Sequence, residues 1–469
     1  MHITIDDITR KLPVAVDTEE LCLEIHRELK RLDVTIVVLD DDPTGTQTVH
    51  DIPVLTSWGR EAIEKEFEAK TALFYLLTNS RSLGPLSASQ LAEEIGLVLR
   101  NAGDKFQRKF YVISRSDSTL RGHYPYEVDM LERGLGHSGS LKIIIPAFFE
   151  GHRITVDDTH YIVEGEKLVP VSETAYAEDK TFGYKNANLK KWVEEKSNGK
   201  IRSEDVYAFN LKDLRSGGVS FVTSQLKTLK AGSTCIVNAM TKADLDVFVL
   251  GLLRSEVPFL GRTAASFVAS VGAIDKKALL SRQDFNPQHK MGSLWIVGSH
   301  VPKTTSQLSH LLDNTDIKGF EVDVMKLLDE GQRDEVIRSA VYNINTYLGE
   351  GQHVVLYTSR KLIAAEDRVA SLTIGNQVSE ALTKIVAEIV VRPAYILSKG
   401  GITSSDIATK SLKVKRALVL GQIIPGVPVW QLGNEAKFPG ISYIVYPGNV
   451  GDDQSLTTIY QQLTPLTHE

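Results

Sequence analysis

Short apolar runs that stop abruptly in polar clusters recur along this chain, and they limit its fold more than any other feature. The first is Ile36-Val37-Val38-Leu39, which ends in Asp40, Asp41 and Asp42. A run this short, continuous and mostly β-branched predicts a strand buried on both faces. Pro43 and Gly45 then favour a turn. Further strands are predicted at Val54–Thr56, Thr71–Leu77, Phe110–Ile113 and Leu141–Ile145, with a helical pattern at Ser87–Arg100. Upstream, Leu21, Ile25, Leu29 and Leu32 recur at helical spacing behind Thr18 as a cap. Strands alternating with helices predict an α/β fold with a parallel, doubly wound sheet.

A second pattern of the same kind follows. Residues 151–200 look irregular, apart from a hairpin at Thr159–Pro170 and a solvated helix face at Lys190–Lys196. A strand at Thr234–Asn238 precedes a helix at Lys242–Leu253. Ser281–Gly292 is rich in turn formers and reads as a linker and hinge. Beyond it come strands at Leu294–Val297, Val354–Tyr357, Ala394–Leu397 and Tyr443–Tyr446. Helices are expected at Thr304–Leu312, Gly375–Val391 and Gln454–Leu463. The expectation is two α/β domains, residues 1–285 and 286–469, each built on a mostly parallel sheet flanked by helices.

Composition narrows the class. The 469 residues are 42% hydrophobic and 24% charged, as in ordinary globular proteins, and the net charge of −6 argues against a nucleic-acid binder. Two cysteines, Cys22 and Cys235, exclude a disulfide scaffold or a cysteine zinc cluster and suit a reducing cytoplasm. No run of about 18 apolar residues suggests a membrane span. The first residues lack the basic and apolar regions of a signal peptide. No histidine pair has metal-ligand spacing, so no structural metal is expected.

In open α/β sheets, ligands bind outside the carboxyl ends of the strands. Three such ends carry polar clusters here: Asp40-Asp41-Asp42, Thr78-Asn79-Ser80-Arg81-Ser82, and Ser114 through Gly122 with Arg115, Asp117 and Arg121. Any one of them could be a solvated loop, and three adjacent acids need balancing charge or water. Together they suit a small, anionic, hydroxylated ligand, since arginine forks onto carboxylates while Asp and Asn bind hydroxyls. In the second half, Ser398-Lys399-Gly400-Gly401-Ile402-Thr403 predicts a strand, a Gly-Gly turn and a helix start with Ser/Thr caps. Such a turn can present backbone N–H groups to phosphate, although it is not a Walker A loop. Tyr446-Pro447-Gly448 is another close-approach turn. Asp452 and Asp453 behind it are better read as helix-start acids. His123 reads as a local hydrogen-bonding residue before an acid/base.

These motifs, taken in order, resemble the four-carbon acid sugar kinase family over nearly the whole chain. The resemblance rests on Asp41-Asp42-Pro43-Thr44-Gly45, Arg115 through Gly122, Pro146-Ala147-Phe148-Phe149-Glu150-Gly151, Gly298-Ser299, Gly400-Gly401-Ile402-Thr403, Pro425-Gly426-Val427-Pro428, and Pro447-Gly448 with Gly451. It implies an N-terminal domain that binds a sugar acid such as threonate, erythronate or 3-oxo-tetronate, or a branched relative such as 3-oxo-isoapionate. It implies a C-terminal domain that binds ATP with Mg²⁺. Substrate contacts map to Asp41, Asp42, Asn79, Arg81, Arg115, Asp117 and Arg121. Nucleotide contacts map to Ser299, Gly400, Gly401, Ile402, Thr403 and Gly448. The chain departs from the family pattern at Ile402, where an acid is common, at Val301, where a serine is common, and in the helix preceding Asp40.

The resulting expectation is ATP-dependent phosphorylation of a sugar-acid hydroxyl, with Asp42 or Asp41 as base. Expected partners are the sugar acid, ATP and, at most, a second copy in a homodimer, without nucleic acid or membrane. A non-catalytic sugar-acid sensor would have no use for a carboxylate base. A metal-dependent aldolase or isomerase would leave the Gly400 and Gly448 turns without a task.

Overall fold

The computed structural model describes residues 5–15, 18–285, 291–298, 301–359, 368–448 and 450–464, with the side chains of 18 and 368–373 left aside. The chain forms two compact units. One comprises Met1–Val49 with Ser57–Lys276, the other His50–Thr56 with Lys277–Glu469. Both are α/β, with mostly parallel sheets flanked by helices.

In chain order the strands are β1 Thr35–Asp40, β2 Ile52–Leu55, β3 Leu73–Leu77, β4 Phe110–Arg115, β5 Leu141–Ile145, β6 Arg153–Val156, β7 Thr159–Glu164, β8 Lys167–Pro170, β9 Tyr207–Phe209, β10 Thr234–Val237 and β11 Phe259–Thr263. The second half adds β12 Leu294–Val297, β13 Lys318–Val322, β14 Val354–Thr358, β15 Tyr395–Lys399, β16 Arg416–Ile424, β17 Val427–Leu432 and β18 Ser442–Tyr446.

The first unit orders its strands β3-β1-β4-β11-β5-β10-β9, and every neighbouring pair is parallel. β1 is buried along its whole length, as a β-branched run between two parallel neighbours must be. From β1 the chain moves to β3 on one side and then back to β4 on the other. The β1/β4 seam is therefore a topological switch point, where loops diverge and leave a crevice. The helix Thr18–Leu32 buries Leu21, Ile25 and Leu32 at the spacing the sequence predicts.

The stretch after Gly151 is more regular than its sequence suggests. β6, β7 and β8 form an antiparallel sheet, which includes the expected hairpin. The helix Leu189–Lys196 is not simply solvated, because it buries Trp192 and Val193.

The second unit orders its strands β13-β14-β12-β15-β18-β17-β16-β2, parallel from β13 to β18 and antiparallel from β18 to β2. β2 comes early in the chain yet pairs with β16, through Ile52↔Val419 to Leu55↔Arg416. From β12 the chain goes out to β13, returns through β14 and then places β15 on the other flank of β12. The β12/β15 seam is this unit's switch point. Trp295, Val297, Val355, Leu397, Ile444 and Tyr446 lie in its core.

Candidate functional site

The last register pair between β1 and β4 is Asp40↔Arg115. It brings the acidic strand end and the arginine-rich strand end side by side at the switch point. Arg115 Nη1 donates to Asp40 Oδ1 at 3.1 Å, with both side chains buried. Burial pushes the Asp40 carboxyl up to about 7; Arg115 opposes this, while Asp41 and Asp42 add to it. Gly45 packs directly on that carboxyl. A Cβ at this position would lie 1.8 Å from Asp40 Oδ2, so the turn closes over the acid only with glycine there.

Arg81 joins the three clusters. Its guanidinium forks onto Asp41, reaches Asp42 Oδ2 at 3.3 Å and lies 3.9 Å from Asp117 Oδ1. Ser116 Oγ donates to Asp41 Oδ2 at 2.6 Å. Asp41 is 3% exposed and engaged on both oxygens. Asp42 is 25% exposed at its side chain and accepts from the Thr44 N–H at 2.8 Å and hydroxyl at 2.5 Å. Burial acts to raise Asp42, but the Arg81 charge and the Thr44 bonds outweigh it and hold the carboxyl below its ordinary value. Asp117 is likewise held low, burial being outweighed by Arg81 and Arg121. Arg121 Nε donates to Asp117 Oδ2 at 2.8 Å, and Nη1 lies 3.6 Å from Asp179. Its side chain is 25% exposed, against 18% for Arg81 and 7% for Arg115. Asn79 caps a short turn in the left-handed region at φ 51°, which asparagine tolerates.

All seven sequence-predicted residues of this unit thus lie at the carboxyl ends of β1, β3 and β4, Arg115 as the last residue of β4 and the other six in the loops that follow. Most of their charges answer one another. Arg81 and Arg115 are held by the protein's own carboxylates, where sequence reasoning had them reaching for a ligand.

Three residues that sequence reasoning missed hold the loop after β4 from behind. Arg262, 2% exposed, donates to the carbonyls of Asp117 at 3.2 Å and Arg121 at 2.7 Å. His160 of β7 meets the Ser118 carbonyl through Nε2 at 2.7 Å, and burial pushes its pKa down to about 4. The Tyr184 hydroxyl donates to the Thr119 carbonyl at 2.7 Å. An arginine inside the apolar strand Phe259–Thr263 was the available signal, since a buried charge there needs acceptors. His123 is buried, and its Nε2 faces the carbonyls of Ser80 and Leu83 at 3.1 and 3.0 Å, as a local hydrogen-bonding residue should.

In the second unit the corner is built from backbone. Val297↔Lys399 is the last register pair between β12 and β15. Gly298 follows one strand and Gly400 the other. A Cβ on Gly298 would lie 2.6 Å from Thr403 Oγ1, so the two turns touch there. Gly400 has φ 112° and caps the helix Gly401–Asp406 without a side-chain bond. This corrects the expectation of Ser/Thr caps: Ser404 is buried, and its hydroxyl turns back to the Ser398 carbonyl at 2.8 Å.

The Gly400 N–H donates to the Tyr446 carbonyl at 2.8 Å, which draws the end of β18 into the same corner. Thr304 and Gln307, both fully buried on the helix Pro302–Asn314, support the loop after β18. Gln307 Nε2 donates to the carbonyls of Val450 at 3.1 Å and Asp452 at 2.7 Å, and the Thr304 hydroxyl reaches Gly448 O at 3.5 Å. Asp452 accepts from the Gln454 N–H and the Ser455 hydroxyl, a helix-start acid as expected. Ile402 is 65% exposed and Val301 37%. Ser299 lies outside the described residues.

β15 runs through Lys399, so a lysine that sequence reasoning had left in the loop is fully buried in the sheet. Its Nζ lies 3.8 Å above the Tyr446 ring and 3.4 Å from the Pro447 carbonyl oxygen.

The fold and its two corners define a protein of two α/β units, each offering loops at a switch point to a small molecule. The family model for a sugar-binding N-terminal domain matches residues 36–271, and that for a nucleotide-binding C-terminal domain matches residues 294–456. The chain belongs to the four-carbon acid sugar kinase family, which pairs these two domains in this order. Among solved structures it is similar to a Salmonella typhimurium LT2 protein provisionally described as a tRNA synthase. That likeness has 16% identity, 92% of this chain and 100% of that one covered, and a TM-score of 0.68. It is also similar to a Haemophilus influenzae protein from a family defined as a domain of unknown function, at 16% identity, 91% and 100% coverage and a TM-score of 0.62. At these identities the likeness is one of fold. No curated protein matches the chain in sequence. Among the described residues, no helix is long and apolar enough to cross a membrane.

Proposed function

We propose that this protein is an ATP-dependent kinase that phosphorylates a hydroxyl of a small sugar acid of the four-carbon class. The observation that carries the reading is the acid–arginine cluster at the β1/β4 switch point of a sugar-binding domain, in a chain whose other domain matches a nucleotide binder.

Asp42 suits the base. It is the more exposed of the two candidate acids, and a carboxyl held below its ordinary value is ionised at neutral pH and can accept the hydroxyl proton. Asp41, engaged by Arg81 and Ser116, positions Arg81 instead. Arg121, the most exposed of the three arginines, is the group to meet the substrate carboxylate, with Asp117 beside it and Asn79 in the loop after β3 for hydroxyls. In the second unit, the Gly400–Thr403 turn and the Gly448 loop would take the nucleotide phosphates.

Phosphoryl transfer depends chiefly on positioning and charge neutralisation, and a bound Mg²⁺ would supply part of the latter. Among the described residues, no cluster of three His, Cys, Asp or Glu side chains forms a protein cage for a metal. The ion would arrive on the nucleotide, held mainly by phosphates and water, and no chain residue is assigned to it.

ADP formation over a panel of tetronates, oxo-tetronates and branched sugar acids tests the reading. Acid-dependent ADP release from at least one member is expected. Thermal stabilisation by a sugar acid with none by ATP·Mg²⁺ would replace the kinase with a sensor.

A further inference from the structure

Lys399 is a buried amine with no described carboxylate to answer it. It is 0% exposed, and among the described residues no Asp or Glu lies within ion-pair distance of its Nζ. Its described neighbours are the Tyr446 ring, the Pro447 carbonyl at 3.4 Å, and Lys303, a like charge on the helix Pro302–Asn314. A fold seldom leaves a lysine in this state, because burying an ammonium without an anion is costly. Its position is specific as well. It ends β15 at the switch point, one residue before the Gly400 turn and in register with Tyr446, which leads into the Pro447–Gly448 turn.

We propose that Lys399 is a phosphate-binding residue of the second unit, whose buried amine takes its counter-charge from the nucleotide phosphate. The proposal rests on the nucleotide reading of that unit. The amine would receive one proton and donate hydrogen bonds to phosphate oxygen, so the anion supplies the counter-charge that the described residues lack. Burial, and secondarily Lys303, push its pKa down to about 7 in the free protein, so the neutral amine is well populated near neutrality. Among the described residues, the titratable groups facing it are Lys303 and the Tyr446 phenol. Burial pushes that phenol up to about 12.

The test is titration calorimetry of the whole protein with ADP and Mg²⁺, in buffers of different ionisation enthalpy, at pH 7 and pH 8. Uptake of about half a proton per ADP at pH 7, rising toward one at pH 8, is expected from the linkage. Lys399→Met should abolish the uptake and weaken ADP binding on the order of tenfold or more. It should fold normally, since methionine fills the site without a charge, and its melting temperature checks this. Wild-type binding without proton uptake, or uptake that persists in a folded Lys399→Met, would overturn the proposal and leave the nucleotide reading standing. A wild-type protein that binds no ADP would remove the nucleotide reading and the proposal together.

Discussion

At the β1/β4 corner of the first unit, Asp40, Asp41, Asp42 and Asp117 interlock with Arg81, Arg115 and Arg121. At the β12/β15 corner of the second unit, the turns that follow the strands at Gly298, Gly400 and Gly448 gather around a buried lysine. The topological position is the same and the chemistry is opposite. A network in which acids and arginines largely answer one another stays near neutral, and it keeps Asp40 Oδ2 and Arg115 Nε without a partner among the described residues; its many directed hydrogen-bonding groups suit a polyhydroxy acid whose groups must be told apart. A backbone corner with an amine that no described carboxylate answers attracts negative charge with little discrimination, which suits a phosphate chain. Switch-point topology supplies a crevice in both units, and side-chain chemistry decides what can bind there.

The difference predicts where the molecule is fragile. Arg81 holds three carboxylates, one of them almost fully buried, so removing it leaves Asp41 as an unanswered charge. Arg81→Met should destabilise the protein by about 3–5 kcal/mol, the range seen when one partner of a buried pair is lost. Denaturant unfolding followed by fluorescence measures this. A cost below about 1 kcal/mol would mean that the network is loose and that the contrast between the corners is overdrawn.

Asp42 comes next in size. Asp42→Asn keeps its shape and removes the ionised acceptor, so turnover should fall at least about 100-fold, or roughly 2.7 kcal/mol, with ADP affinity unchanged. Near-normal turnover in the variant would take Asp42 out of catalysis and leave the acid cluster a purely binding role.

The sequence announced what was local. Ile36–Leu39 is apolar and ends in acids within one short run, so both the strand and its reactive end could be read directly. The Gly400 turn could be read for the same reason. Hidden features depend on partners far along the chain. Ile52–Leu55 has the pattern of any strand, and nothing in it points to β16 as its neighbour. Arg81 shows positive charge, but whether it meets a ligand or Asp41 is decided by three separate loops. Ser398-Lys399 looks like the polar start of a turn, because a lysine is so seldom placed inside a sheet. That β15 continues through it follows from pairing with β12 and β18 on both sides. Arg262 left only the hint of a charge inside an apolar strand, and His160 and Tyr184 act on backbone carbonyls that leave no mark in the sequence.

The acid–base behaviour of the two corners should also differ. Lys399 has a folded pKa pushed down to about 7 against an ordinary value near 10.4, so between these limits the unfolded chain binds the extra proton. Stability then rises with pH across that window, by at most about 1.4 kcal/mol per pH unit. Asp40 has the reverse sign. Its folded pKa of about 7 exceeds the ordinary 3.9, so it favours the folded state below that window and loses this contribution as pH rises from about 4 to 7. Urea midpoints of wild type and Lys399→Met at pH 7, 8 and 9 isolate the lysine. The variant should be the more stable at pH 7, and its advantage should shrink as pH rises. A constant gap would mean that Lys399 is charged in the folded state and answered by a group outside the described residues.

The smallest effect is expected where the contrast is absent. Lys384 and Asp334, in the second unit, approach to 3.0 Å, but their side chains are 51% and 67% exposed. Water screens such a pair, and holding two long side chains together costs entropy, so exposed pairs contribute little. The Lys384→Ala, Asp334→Ala double-mutant cycle should therefore give a coupling near the limit of measurement, fading as salt is added. The Arg81–Asp41 cycle should exceed it severalfold and respond little to salt, because that pair is shielded by the loops around it. Equal couplings would show that proximity alone governs ion pairing in this fold, and the acid–arginine corner would then have no special claim to be a binding site.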